Sequence, residues 1–326
     1  MTVSKDIKDI EREYQAIKSG AGFRRLDDRL VIRVSGDDRV SFLHGMCTAD
    51  INGLALGQVM PALFVTEHSH VIADCFVYAL ADAILLEIER ERWAEVRAHL
   101  EKFLVADDVE MDELDWSIID CEGPSYAALL AEEMHLTPPA TQWRFDQDQL
   151  IAQLPRFGAP AFTLLLPRDR NVDAPPATNA LVELSPATLE IIRIEHGLAR
   201  VGVDTTAKTL ALEARLEWAI SFNKGCYIGQ ETIERATARG GLKRKLCGLR
   251  VAGEGARATG SAILLEEKSV GVLTSIARSP EFGVIGLAIL HHSAWEPGTP
   301  VAVRDTTGVS DARVADLPFR NGASSH

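Results

Sequence analysis

The chain has 326 residues, 46 % of them hydrophobic and 25 % charged, the composition of a soluble globular protein with room for two or three domains. A formal net charge of −13 excludes the broad basic surface that phosphate backbones require, so no nucleic-acid partner is expected. No apolar run approaches the ~20 residues that span a bilayer, and residues 1–19 are too polar for a secretory signal, so the expectation is a cytoplasmic protein with no membrane partner.

In chain order, Ile7, Ile10, Tyr14 and Ile17 recur at helical spacing over residues 5–19, and Gly20 and Gly22 end that helix. Leu30–Val34 reads as a strand and Gly36-Asp37 opens a helix running to about His44. Strand-like runs follow at Pro61–Thr66, Val71–Leu80 and Ala83–Ile88, then a helix from Glu91 to Phe103 with Trp93, Val96 and Leu100 on one face. The next block reads as a strand at Trp116–Cys121, a helix at Ser125–Met134, strands at Leu150–Leu154 and Ala161–Leu166, and a helix at Ala177–Leu184. Strands interleaved with helices at this pitch suggest α+β layers on a mostly antiparallel sheet. A helix over Glu231–Ala238 comes next. From Lys245 short strands recur between Gly and Pro residues: Leu246–Val251, Ala262–Leu265, Ser269–Ile276, Val284–Leu290 and Val301–Arg304. That texture reads as a small β-barrel or sandwich.

Five cysteines (Cys47, Cys75, Cys121, Cys226 and Cys247) form no C-x-x-C pair, so neither a disulfide framework nor a self-contained zinc or iron–sulfur site is expected. Four of them read as small buried hydrophobes. Cys226 differs. It lies in Lys224-Gly225-Cys226-Tyr227-Ile228-Gly229-Gln230-Glu231, where glycines permit close backbone approach, and where Lys224 and a following helix start both favour a thiolate.

The pattern K-G-C-Y-x-G-Q-E resembles the signature of the folate-binding YgfZ family, relatives of the glycine-cleavage T-protein (GcvT, aminomethyltransferase) superfamily. Arg193-Ile194-Glu195-His196-Gly197 resembles the R-x-E-x-G segment, Leu212-Glu213-Ala214-Arg215-Leu216 the L-E-A-x-L stretch, Val34 to Leu43 the opening V-x-G-x-D-x-x-x-F-L, and Gly271 to Ser275 with Ser279-Pro280 the barrel pattern. The resemblance covers roughly residues 25–305, in order. It implies a GcvT-like folate-binding body over 1–244, made of two interleaved α+β subdomains, then a C-terminal β-barrel over 245–320; residues 321–326 read by themselves as a disordered tail.

The resemblance also implies roles. The cofactor is tetrahydrofolate or a one-carbon derivative, bound in a cavity between the domains. Glu195 matches the glutamate that pairs with the exocyclic amine and ring N–H of the pterin; one carboxylate can accept both bonds. The plain alternative is a helix glutamate paired with Arg193 or Arg200. Lys224, Tyr227, Gln230 and Arg239 are further candidate folate contacts, and the run Arg235, Arg239, Lys243, Arg244, Lys245 either meets the glutamyl tail or is a solvated charge run. Gln230 departs from the T-protein pattern, which has arginine there. Glu213 and Glu231 read as further matched acids or as caps and ion-pair partners.

Cys226 matches the thiol tied to YgfZ activity. Asp74 lies where T-proteins carry paired aspartates that assist attack by a folate nitrogen; here Ala73 replaces one of them. It reads as that acid/base or as a strand-end carboxylate. Three functions follow: a tetrahydrofolate-binding factor that supports iron–sulfur assembly or repair in client proteins, a folate-dependent aminomethyltransferase-like enzyme, and a fold relative that retains neither activity.

Overall fold

The computed structural model describes residues 7–132, 142–146, 149–154, 156, 161–168, 181–239, 241–253 and 258–320. Its contacts divide the chain into two compact units. The first comprises residues 1–67, 72–185 and 218–230, and the second 68–71, 186–217 and 231–326.

The first unit begins with α1 (Ile7–Ser19), which buries Tyr14 and Ile17 at the expected spacing. Then come β1 (Gly22–Arg25), β2 (Arg29–Ser35), α2 (Arg39–Met46), β3 (Val59–Val65), β4 (Val71–Ala79), β5 (Ile84–Glu89), α3 (Arg90–Phe103), β6 (Glu110–Leu114), β7 (Trp116–Glu122), α4 (Tyr126–Glu132), β8 (Trp143–Asp146), β9 (Gln149–Gln153), β10 (Ala161–Pro167) and β11 (Val182–Glu183). One sheet has the order β3-β4-β5-β2-β6 and the other β11-β1-β7-β10-β9-β8. Helices α2 and α3 cover the first sheet: Phe42, Leu43, Met46, Trp93, Val96 and Leu100 pack on Ile32, Val34, Phe64, Val77 and Leu86. The opposite face of that sheet meets the second sheet through Val31, Tyr78 and Leu85 against Ile118, Leu150 and Leu165. Alternation along β4 therefore decides what each residue meets: Ala73, Cys75 and Val77 enter the helix-covered core, while Asp74, Phe76 and Tyr78 face the other way.

The second unit holds α5 (Pro186–His196), α6 (Gln230–Arg239), of which Gln230 is the last residue of the first unit, and β12 (Arg244–Val251), β13 (Ala262–Leu265), β14 (Lys268–Ser279), β15 (Gly283–His291), β16 (Pro300–Asp305) and β17 (Gly308–Ala315). The six strands close into a barrel in the order β12-β15-β14-β13-β16-β17, with β12 pairing β17. Closure leaves no free sheet edge, and Leu249, Ile263, Leu273, Leu290 and Val303 fill the interior. Residues 186–217 group with this barrel rather than with the two sheets.

The α+β class and the C-terminal barrel match the sequence expectation. The helix expected over Ala177–Leu184 does not extend to its described end: Val182 and Glu183 form β11, parallel to β1. Residues 177–180 and the expected tail, 321–326, lie outside the described residues.

Candidate functional site

Residues 224–230 of the octad that stood out in the sequence form a self-anchored loop in the first unit; Glu231 falls in the second. The Lys224 ammonium donates to the carbonyls of His44, in the last turn of α2, and of Cys47 (2.8 Å) and Ala49 (2.7 Å), just past its end. Burial lowers its pKa from the usual lysine value. The same ammonium lies 4.9 Å from the centre of the Tyr227 ring. Ile228 N–H donates to Gly45 O at 3.0 Å, and Tyr227 N–H donates to Gln230 Oε1 at 3.2 Å. A Cβ on Gly225 would lie 3.5 Å from His44 Nε2, an ordinary van der Waals contact. Lys224, Tyr227, Ile228 and Gln230 thus all take part in holding the loop. Cys226 is exposed, whereas Cys47, Cys75, Cys121 and Cys247 are buried.

A second feature, also in the first unit, was not singled out from the sequence. Asp74 Oδ2 lies 4.0 Å from an Arg29 guanidinium nitrogen, and its side chain is 21 % exposed. Arg29 Nε in turn lies 2.7 Å from Glu87 Oε1, and Arg29 also donates to the Glu87 carbonyl at 3.0 Å. Glu87 is fully buried and accepts from the Tyr78 hydroxyl (2.8 Å) and from Arg156 (2.5 and 2.7 Å). Arg156 Nε donates to Asp120 Oδ1 at 3.0 Å, which also accepts from Thr163 Oγ1 at 3.1 Å. The Phe76 ring lies 4.8 Å from the Arg156 guanidinium and 5.9 Å from that of Arg29, and 6.4 Å from the Trp218 ring.

Burial alone would raise the Glu87 pKa, but Arg156 and Arg29 outweigh it and hold the carboxyl below its usual value. Burial likewise pulls both arginines down, and their carboxylates more than restore them. At the far end, burial raises the pKa of Asp120 and pushes Glu122, its neighbour on the same face of β7, up to about 10. Glu122 is therefore a neutral acid at neutral pH, next to the Asp120 carboxylate. The sequence did carry a trace of this cluster: Glu87 in Ile-Leu-Leu-Glu-Ile-Glu and Asp120 in Ser-Ile-Ile-Asp-Cys-Glu are acids inside apolar strand runs, where an unpaired charge is too costly to keep.

Glu195 lies in the second unit, on α5, and is 3 % exposed. Its Oε1 accepts from Ser279 Oγ at 2.6 Å, and that oxygen accepts from the backbone N–H of Glu281 and Phe282. The other fixed members of its segment have structural partners. Arg193 binds Glu190 and Asp204 (both 2.6 Å) and Ser275 (2.6 Å), so it is not the ion-pair partner of Glu195 that the plain sequence alternative offered. Gly197 has φ +69°, and a Cβ there would lie 2.6 Å from Leu317 Cβ.

Glu213 accepts from the Arg244 side chain (3.1 and 3.0 Å), and Glu231 pairs with Arg235 one turn along α6. Lys245 lies 5.0 Å from the Trp295 ring centre. Two members of the basic run thus have acidic partners and one an aromatic partner, an arrangement that fits the charge-run reading. The Arg239 side chain lies outside the described set.

Among the described residues no group of three or more His, Cys, Asp or Glu is arranged to hold a metal ion. No described helix is long and apolar enough to cross a membrane.

Residues 4–147 match the GCVT N-terminal domain, and residues 244–320 match the glycine cleavage T-protein C-terminal barrel domain. The chain has the domain pair and the fold of the glycine cleavage T-protein family. Among curated proteins it is 28 % identical over 302 residues to a putative transferase of Arabidopsis thaliana, At1g60990, chloroplastic, spanning 88 % of this chain and 68 % of that protein. It is 27 % identical over 326 residues to an aminomethyltransferase of Rubrobacter xylanophilus, spanning 95 % and 86 %. The aminomethyltransferase of Bacillus subtilis is 25 % identical over 329 residues, spanning 95 % and 90 %. Among solved structures, the glycine cleavage system aminomethyltransferase T of Bartonella henselae superposes with a TM-score of 0.87 over 95 % of this chain and 89 % of that one, at 22 % identity, which is a likeness of fold.

Proposed function

We propose that this protein binds a reduced folate, tetrahydrofolate or a one-carbon derivative, and transfers a one-carbon unit to or from it, in the manner that the aminomethyltransferase relatives' names describe. The observation that carries the reading is the placement of Asp74. Of the two neighbouring positions on β4, residue 73 enters the apolar core, while residue 74 shares the other face of the strand with Phe76, whose ring lies 6.4 Å from that of Trp218, and keeps its carboxylate partly open to solvent. A carboxylate beside aromatic faces suits a flat heterocycle that loses a proton from nitrogen as that nitrogen bonds to carbon. Asp74 is the acceptor of that proton in this reading; Glu195, which belongs to the other unit and is oriented by Ser279, is a separate candidate to accept from a pterin amine.

A second reading, a YgfZ-type role supporting iron–sulfur clusters in client proteins, is favoured by one observation. In an otherwise fully anchored loop, the Cys226 thiol is exposed. The two readings share the folate and differ in the acting side chain: Asp74 on the folate in the first, Cys226 in redox or transient cluster chemistry in the second.

Titration calorimetry with tetrahydrofolate and 5-formyltetrahydrofolate tests the shared part. Glu195→Ala is expected to weaken binding by about 2–4 kcal/mol, because charge-assisted bonds are lost and ligand donors remain buried. Equal affinity in wild type and variant would remove Glu195 from the folate site.

A further inference from the structure

The cluster Arg29, Glu87, Arg156 and Asp120 needs an explanation beyond stability. Its four side chains are nearly excluded from solvent: 11 % exposed for Arg29, 8 % for Arg156, 2 % for Asp120 and 0 % for Glu87. Taking two guanidiniums and two carboxylates out of water is costly, and well-packed apolar residues commonly serve a sheet-to-sheet contact at least as well. The same contact is apolar at Val31, Leu85, Ile118, Leu150 and Leu165. The charges form one connected chain across that contact, from Asp120 through Arg156, Glu87 and Arg29 to Asp74.

We infer that Arg29 is the positioning residue for Asp74, and that Glu87, with Arg156 behind it, fixes Arg29 for that task. This rests on the folate one-carbon reading given above. Three geometric facts carry it. First, Asp74 is the member of the chain that reaches solvent, and among the described residues its only ion pair is with Arg29, at 4.0 Å. That distance orients the carboxylate electrostatically without occupying its oxygens in a hydrogen bond. Second, Arg29 is not free to swing: one edge meets the Glu87 carboxylate at 2.7 Å and the Glu87 carbonyl at 3.0 Å, which leaves the remaining nitrogen toward Asp74. Third, Glu87 is itself held from two other sides, by Tyr78 and by Arg156, and Phe76 packs against both guanidiniums. Each link sits on a strand rather than a loop, apart from Arg156, so the chain of contacts is rigid where precision matters.

The test separates positioning from folding and from ligand affinity. Arg29→Lys keeps the charge but loses the fork; Arg29→Met loses both; Glu87→Gln leaves Arg29 in place and removes its anchor while keeping an acceptor for Tyr78. Full-length variants are compared with wild type for tetrahydrofolate Kd by calorimetry, for kcat with tetrahydrofolate and an aminomethyl donor, and for thermal midpoint. The expected result is a kcat reduced about 10- to 100-fold in Arg29→Met and in Glu87→Gln, a smaller loss in Arg29→Lys, and a Kd within about threefold of wild type in all folded variants. Wild-type kcat in Arg29→Met or Glu87→Gln would overturn the inference. So would a loss of kcat that tracks Kd and thermal midpoint in every variant, the signature of a purely structural role. A wild-type protein that neither binds tetrahydrofolate nor turns over would remove the folate reading itself, and the inference with it. Binding and turnover in wild type with no effect of Arg29 would remove the inference alone.

Discussion

The Lys224 ammonium and the Cys47 carbonyl, 177 positions apart in sequence, meet at 2.8 Å. This contact, with those to His44 and Ala49, joins the octad to the end of α2. The lysine of the most recognisable motif in the chain thus commits its three donors to backbone.

Replacing it is expected to cost stability. Lys224→Met leaves three carbonyls without their donor, and the charge-assisted bonds involved are each worth about 1.5–3 kcal/mol at most, less what solvent restores at a half-buried site. A lower thermal midpoint is expected, together with faster exchange of the Ile228 amide, which bonds to Gly45 O. An unchanged midpoint with a lost ligand affinity would instead make Lys224 a ligand contact.

Glu122 gives a pH dependence whose sign is fixed. Its native pKa of about 10 stands far above the ordinary 4.5. Between those values the native state holds a proton that the unfolded chain lacks, so this group's contribution to stability falls as pH rises through that window. Glu122→Gln, neutral at every pH, is expected to flatten the slope and to raise stability at pH 9 by an amount on the order of a few kcal/mol relative to wild type, with little change at pH 5. Parallel urea titrations at the two pH values provide the check; identical slopes in wild type and variant would show that Glu122 is ionised in the native protein.

Thiol reactivity should be concentrated in one residue. With Cys226 exposed and the other four cysteines buried, a mild alkylating reagent on the native protein is expected to label Cys226 first. Burial raises the pKa of Cys47, Cys75, Cys121 and Cys247, which slows them further. Mass spectrometry of the labelled peptides reads this directly, and labelling spread over several cysteines would contradict the exposed loop.

Much of the fold was legible because its elements carry strong periodic or punctuated patterns. Trp93, Val96 and Leu100 mark α3, and Gly and Pro separate five of the six barrel strands. The elements that went unread have weak local signals. β6 is Glu-Met-Asp-Glu-Leu, whose charges suit an edge strand that must not pair further and hide the strand pattern. β1 has four residues, two of them arginine, and β11 only two; both exist through their partners in the sheet. β17, Gly-Val-Ser-Asp-Ala-Arg-Val-Ala, buries only Ala312 and Val314, too weak a strand pattern on its own, and is fixed by closure against β12 and β16.

The site divides in the same way. Asp74 and Cys226 stand out within local strings. The cluster behind Asp74 does not, since Arg29 meets Glu87 across 58 positions, Arg156 meets Glu87 across 69 and Asp120 across 36. Only strand pairing and sheet packing bring those residues together.

In the proposed function Asp74 acts on a bound reduced folate. The most direct measurement is turnover of Asp74→Asn and Cys226→Ser, each with tetrahydrofolate and an aminomethyl donor, in preparations whose tetrahydrofolate affinity has been measured by calorimetry. The account predicts that Asp74→Asn binds tetrahydrofolate within about threefold of wild type and loses 10²-fold or more in kcat, the usual scale for a general base, while Cys226→Ser retains turnover. Wild-type kcat in Asp74→Asn, with turnover lost in Cys226→Ser, would contradict it and assign the chemistry to the thiol.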